Sequence, residues 1–246
     1  MGKLLLDTLS RIVAGILPGF ITTGWNRYIL QNWLGRAPRE YILEIRLFLD
    51  ILFPENPPEI RETQCRFLPN SKAFFMEKVD ILDSLGRDNN AEVNIICRVP
   101  WLLMPGIYRD IALNSTEARA YYSMLEKHAK SGRLKYLYNL NSLKNMDIKN
   151  SLITGSQFHC YPILLSSTNF DIMIVHTDRH RHKIIFAQRP MGVQDQEIGI
   201  VVEQRDLYLV LKNYFDRFWK ETVVFWGSEI EKNIPAIETV FGYLQE

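Results

Sequence analysis

Cysteine is scarce in this chain, with three in 246 residues. Cys65, Cys97 and Cys160 lie far apart and form no Cys-x-x-Cys pair. Neither a disulfide framework nor a structural zinc site is expected, and a reducing, cytoplasmic setting fits that usage. An excess of charge is also lacking. The formal net charge is +1, so no global field draws the chain to nucleic acid or to an acidic surface, and any such binding must come from a local patch. Long apolar runs are missing as well. The cleanest, Ile12 to Ile21, is ten residues, whereas a membrane-spanning helix needs about 20. Asp7 and Arg11 break the apolar stretch from Leu4 to Trp25. That argues against a signal peptide and for a buried helix, with peripheral membrane contact through residues 1–34 as the alternative. There is no Gly-rich phosphate loop, no Gly-x-Ser-x-Gly elbow and no His-Glu-x-x-His helix, so no cofactor and no metal is expected from a motif.

Apolar and aromatic residues are plentiful, at 47% and 12%, enough for a substantial core. Residues 1–58 read as a helical, strongly apolar module. Leu5, Leu9, Ile12 and Ile16 recur at helical spacing, and Pro18-Gly19 should break that helix. A further helix starts at Pro38, with Tyr41, Ile42, Ile45, Leu47, Phe48, Ile51 and Leu52 on a wide apolar face. Pro54, Pro57 and Pro58 end it and set the module boundary. Residues 59–246 read as an α/β domain. A helix from Ser71 to Leu85 points Phe74, Phe75, Val79, Ile81 and Leu82 inward, with Gly86 as its cap. A strand comes next at Val93–Val99, then a helix with a capping-box-like start at Asn114-Ser115-Thr116-Glu117, then a strand at Leu134–Tyr138. That alternation predicts a sheet flanked by helices. Residues 139–156 are polar and read as a surface loop. Strand character resumes at Phe158–Leu165. Ser228-Glu229-Ile230-Glu231 opens a last helix, which Pro235 should kink.

The most informative stretch runs from Asn169 to Trp219. It opens with the apolar strand Asn169-Phe170-Asp171-Ile172-Met173-Ile174-Val175-His176, which leads into the basic turn Arg179-His180-Arg181-His182-Lys183. A second strand, Ile184–Ala187, and a third, Ile198–Val202, come next. An aromatic helix then carries Leu211-Lys212-Asn213-Tyr214-Phe215-Asp216-Arg217-Phe218-Trp219. Over residues 65–222 this order resembles one phospholipase D-like unit, and stand-alone units of this kind look like the sensor-type C-terminal domains of bacterial regulators. The resemblance implies a mixed α/β sheet. The family's His-x-Lys-x4-Asp motif falls on Asn169, Asp171 and His176. Histidine would attack phosphorus and lysine would hold the phosphate charge; an amide and a carboxylate cannot take those two roles.

The resemblance therefore implies a catalytically inactive sensor or adaptor, of the kind used in bacterial regulation or defence. It would bind a partner protein or a phosphate-bearing anion, with the N-terminal helices for self-assembly or membrane contact. An alternative is a phosphodiesterase-type hydrolase in which His176 or His159 replaces the lost nucleophile. Another is a nucleotide- or nucleic-acid-binding module working through Arg179, Arg181 and Lys183. The candidate ligand residues are Arg179, His180, Arg181, His182 and Lys183 of the turn, with Arg119. A solvated hairpin tip is the simpler reading of the turn. Arg119, Tyr121, Tyr122, Lys127, Lys130, Arg133 and Lys135 form a second basic and aromatic group, for which an amphipathic helix is the simpler reading.

Overall fold

A computed structural model describes residues 39–98, 101–103, 115–139, 154–155, 157–163, 170–188 and 197–226. It contains one seven-stranded mixed sheet. The strands are β1 (Cys65–Leu68), β2 (Glu92–Cys97), β3 (Leu134–Asn139), β4 (Cys160–Ile163), β5 (Asp171–His176), β6 (Lys183–Gln188) and β7 (Ile198–Glu203). Their order is β1-β7-β6-β5-β2-β3-β4. The pairs β2–β3 and β3–β4 are parallel, and the other neighbours are antiparallel. Helices α1 (Arg39–Leu52), α2 (Ser71–Arg87), α3 (Thr116–Lys130) and α4 (Arg205–Trp226) flank the sheet.

The central strands are buried on both sides: β2 from Val93 to Cys97 and β5 from Ile172 to Val175. That is why they read as unbroken apolar runs. Period-two alternation sends Val93, Ile95 and Cys97 to the α2–α3 side and Glu92, Asn94 and Ile96 to the α4 side. Helix α4 lies on the sheet through Leu207, Tyr208, Leu211 and Phe215, all buried on one face. Helix α1, which the sequence assigns to the N-terminal module, packs into the same core. Tyr41 stacks on Phe67 at 5.7 Å, and Phe48 meets Phe170 edge-on at 5.6 Å. Its opposite side exposes Leu43, Leu47 and Ile51. The helices expected within residues 1–38, most of the 139–156 loop and the segment after Ser228 lie outside the described residues. Among the described residues, no helix is long and apolar enough to cross a membrane.

Some local expectations change. Gly86 sits inside α2, and Asp88 is the residue that caps it. A Cβ at Gly86 would stand 3.4 Å from the His128 ring, so the glycine allows α2 and α3 to approach closely. Ser115 caps α3 by accepting from the Ala118 N–H at 3.0 Å, and α3 ends at Gly132, whose φ of +69° suits glycine. The short edge strand β1 has no alternation of its own. It exists because β7 offers it a ladder.

Asn94 is buried in β2 between Lys135 and Ile174 of the neighbouring strands, and among the described residues neither its Oδ1 nor its Nδ2 has a partner. Such an amide costs about 1–3 kcal/mol. Asn94→Val should therefore raise the urea midpoint by about that free energy, since valine also suits a strand. A lowered midpoint would show that the amide is bonded to a buried water.

Candidate functional site

The register builds a row of side chains across the sheet on the α2 side. Ile96 pairs with Ile172, which sets Cys97 beside Asp171. Asp171 pairs with Ala187, and Ala187 with Gly199. This row lies at the carboxyl ends of the parallel strands β2, β3 and β4, where open α/β sheets form ligand crevices. The middle of the row is small, and the Phe74 ring fills the space. A Cβ on Gly199 would meet Phe74 Cδ2 at 2.9 Å.

Charged groups from separate elements converge there. Asp171 accepts the Arg98 backbone N–H at 2.7 Å and faces the Arg98 guanidinium at 3.4 Å. Glu197 precedes β7, with its backbone N–H donating to Ser71 Oγ at 2.8 Å. Lys78 reaches in from α2. Only 6% of it is exposed, and its ammonium lies 4.1 Å from the Phe74 ring centre and 4.9 Å from that of Tyr121. Among the described residues it makes ring contacts but no hydrogen bond and no ion pair. Burial holds the Lys78 pKa below its ordinary value, against the attraction of Glu197 and Asp171. Burial drives the Cys97 thiol well up, so it is a protonated thiol rather than a nucleophilic thiolate.

Lys78 is not among the candidates that the sequence suggests. A signal is present nonetheless: it shares a helix face with Phe74, Phe75, Ile81, Leu82 and Leu85, so it is a charge on a core stripe. Val79, expected inward, is only half-buried. Arg98 and Glu197 carry no comparable mark.

The basic turn is at the opposite end of β5. That strand is six residues, and at about 3.3 Å per residue its two ends are well separated. Arg179 pairs with Asp80 at 2.7 Å. Lys183 pairs with Glu77 at 2.7 Å and with Glu203 at 3.4 Å. Lys183 also lies 2.9 Å from His180 Nδ1. The ammonium can only donate, so Nδ1 accepts and the ring hydrogen sits on Nε2, 3.0 Å from Asp80. Burial and then Lys183 keep the His180 pKa low. His182 has a left-handed backbone, φ 53°. Its ring packs 5.1 Å from His176 and 5.1 Å from Tyr208. Arg181 is exposed, and no partner for it appears among the described residues. Thr177 and Asp178 tie the turn to α2, through Ser84 at 3.2 Å and Asp88 at 2.8 Å.

Arg119 is an exposed residue near the start of α3, while its neighbours Tyr121 and Tyr122 are buried. The structure therefore joins the turn residues to one another but does not bring Arg119 to them. It separates Asp171 from His176, at the two ends of β5. His159 precedes β4 beside Gly132, with its Nε2 3.4 Å from where a Gly132 Cβ would be; it is at the turn's end of the sheet, away from Asp171. Asn169 lies outside the described residues. Among the described residues, no group of three metal-ligating side chains forms.

No protein-family model and no curated protein matches the chain. Solved structures do. The structures it is similar to include a phospholipase D family member. That protein, Nuc from Salmonella typhimurium, is 8% identical; the match covers 64% of this chain and 95% of Nuc, with a TM-score of 0.37. NucT from Helicobacter pylori is 12% identical, covers 64% of this chain and 96% of its own, and gives 0.39. TrmBL2, an archaeal chromatin protein with a novel mode of DNA binding, is 13% identical, covers 85% of this chain and 70% of its own, and gives 0.34. A mixed sheet flanked by helices, as the sequence leads one to expect, is the architecture observed.

Proposed function

We propose that this protein is a non-hydrolytic ligand-binding module whose α/β domain takes an anion at the carboxyl end of its parallel strands. The observation that carries this reading is that Arg98, 3.4 Å from Asp171, and the buried Lys78, whose charge Glu197 and Asp171 favour, stand at the same end of the sheet. A carboxylate stands at Asp171, where the phospholipase D-like resemblance would have a phosphate-holding lysine, and cationic side chains come to that end from α2 and from the end of β2. Phosphate-bearing compounds are the first ligand class to try, as the sequence suggests. The sensor or adaptor role follows from binding without turnover. The N-terminal helices supply assembly or membrane contact, a role supported by the exposed stripe Leu43, Leu47 and Ile51 on α1.

The histidine-based hydrolase finds less support. His176 sits in an aromatic group with His182 and Tyr208, away from the charged row. A nucleic-acid role for the basic turn also finds less, since Arg179 and Lys183 are offset by Asp80, Glu77 and Glu203. The expected result is that millimolar inorganic phosphate raises the unfolding temperature of the native chain and not of Arg98→Gln. Phosphodiester hydrolysis should be undetectable, and equally so in His176→Ala. Turnover that disappears in His176→Ala would instead establish the hydrolase.

A further inference from the structure

The turn's end of the sheet holds a histidine pair that anion binding does not use. His176 ends β5, and His182 immediately precedes β6. Val175 pairs with Lys183, so the two histidines stand opposite each other one step further along the hairpin, close enough for their side chains to interact. Their ring centres are 5.1 Å apart and the rings are inclined at 46°. That spacing suits two imidazoles sharing one ion, because bonds of about 2.0–2.1 Å leave the two ligating nitrogens about 3 Å apart. His176 Nδ1 is buried, and among the described residues it has no hydrogen-bond partner. A buried nitrogen without a partner costs free energy that a bound cation would recover. His182 has φ 53°, a left-handed backbone that suits glycine best, so a histidine stands there against the local preference. The other three of the five histidines are placed differently. His180 lies against Lys183 and Asp80, His128 against Gly86 and His159 against Gly132.

We infer that His176 and His182 form a two-imidazole clamp for a late first-row divalent cation, of the Cu²⁺, Ni²⁺ or Zn²⁺ class. Water fills the remaining positions, in keeping with the absence of a third metal-ligating side chain among the described residues. The donor type selects the ion: imidazole favours these cations over Mg²⁺ and Ca²⁺, which take oxygen ligands. The surrounding charge points the same way. Arg181 and Arg205 act on His182, so an ion held by charge alone is disfavoured and one held by nitrogen donation is preferred. Glu92 pairs with His176 across β2 and β5, but its carboxylate is engaged by Lys135 and Lys212, each at 3.0 Å. Tyr208 packs 5.9 Å from the His176 ring and 5.1 Å from that of His182, which limits how far either can swing. A bound ion ties the end of β5 to the start of β6 and so closes the base of the basic turn.

The test uses the full chain and Cu²⁺ alone as probe. Calorimetry should show the tightest site taking one ion per chain, and pulsed electron paramagnetic resonance should count two imidazoles bound to it. His182→Gly removes one ring and suits the left-handed backbone, so the variant keeps its fold. It should weaken binding by about 100-fold, because the second ring closes on an ion that the same molecule already holds. His159→Asn, at another left-handed position, should leave binding unchanged. Zn²⁺ should raise the unfolding temperature of the native chain and not that of His182→Gly. A one-imidazole signal, equal binding by the native chain and His182→Gly, or no binding at all overturns the inference. Stabilisation by phosphate through Arg98 is read separately, at the other end of the sheet, so the anion site stands or falls on its own.

Discussion

Lys183→Met is expected to lower the unfolding free energy by about 1.5–3 kcal/mol, the range for losing a hydrogen bond between charged groups. Lys183 is 6% exposed in its side chain and Glu77 14%, at 2.7 Å from each other. Methionine keeps the stem and removes the charge. Among the described residues Glu77 then retains Arg66, at 2.7 Å, and His180 Nδ1 loses its donor. Domains of this kind are stable by about 5–15 kcal/mol, so a large share would go at once. Urea unfolding measures it. The double variant Lys183→Met, Glu77→Gln should recover much of the loss, because an uncharged pair leaves no buried carboxylate unpaired. If the single variant is neutral, the pair is solvated and the turn is not anchored through it.

The same pair sets the acid limb of stability. Burial raises the Glu77 pKa, but hydrogen bonds from Lys183 and Arg66 outweigh it and hold the carboxyl below its ordinary 4.5. A carboxyl whose folded pKa is lowered contributes stability above its unfolded pKa and loses it as pH falls through the folded value. The native chain should therefore lose urea resistance as pH drops below about 4.5. In Lys183→Met that acid-dependent component should shrink, because less of the shift remains.

Phe215→Ala should cost about 3–5 kcal/mol, the range for deleting a buried aromatic ring. Phe215 is fully buried at the centre of the α4 contact with the sheet. Its ring stacks on Trp219 at 5.9 Å, and Trp219 in turn meets Tyr161 of β4 at 5.3 Å. Removing it opens a cavity under α4 and loosens the helix from the strand at the sheet's edge. Phe215→Leu, which fills most of the space, should cost much less. Val224→Ala, at a residue 79% exposed on the same helix, should change stability by no more than about 0.5 kcal/mol. Equal losses at Phe215 and Val224 would show that α4 is held by helix propensity rather than by its buried face.

The elements legible in the sequence share one property: their residues are buried enough to leave a pattern. β2, β5 and β7 are buried from end to end or nearly so, and their apolar runs stand out. Helix α4 shows because one face must meet the sheet and the other must meet water. β1 leaves no mark, because four residues hold no period and its pairing with β7 spans more than a hundred positions of chain. Gly86 reads as a cap because glycine often comes just after a helix. Its reason is a neighbouring helix that the local sequence does not contain.

The candidate sites divide in the same way. Arg179 to Lys183 stands out as a run of cations, yet a run of like charges says nothing about which carboxylates face it. Those carboxylates, Asp80 and Glu77, sit on α2 about a hundred positions earlier. Lys78 does not stand out, because one lysine within an apolar helix reads as a solvated exception. Among the described residues the sequence by itself determined the longer strands and helices and which of their faces are apolar, because local periodicity depends only on near neighbours. It also determined that the phosphate-handling residues of the resembled motif are replaced at Asn169, Asp171 and His176. Only the tertiary structure decided that Lys78, Arg98, Asp171 and Glu197 come to one end of the sheet and that Arg98 pairs with Asp171, because that depends on strand register and helix placement between residues far apart in the chain.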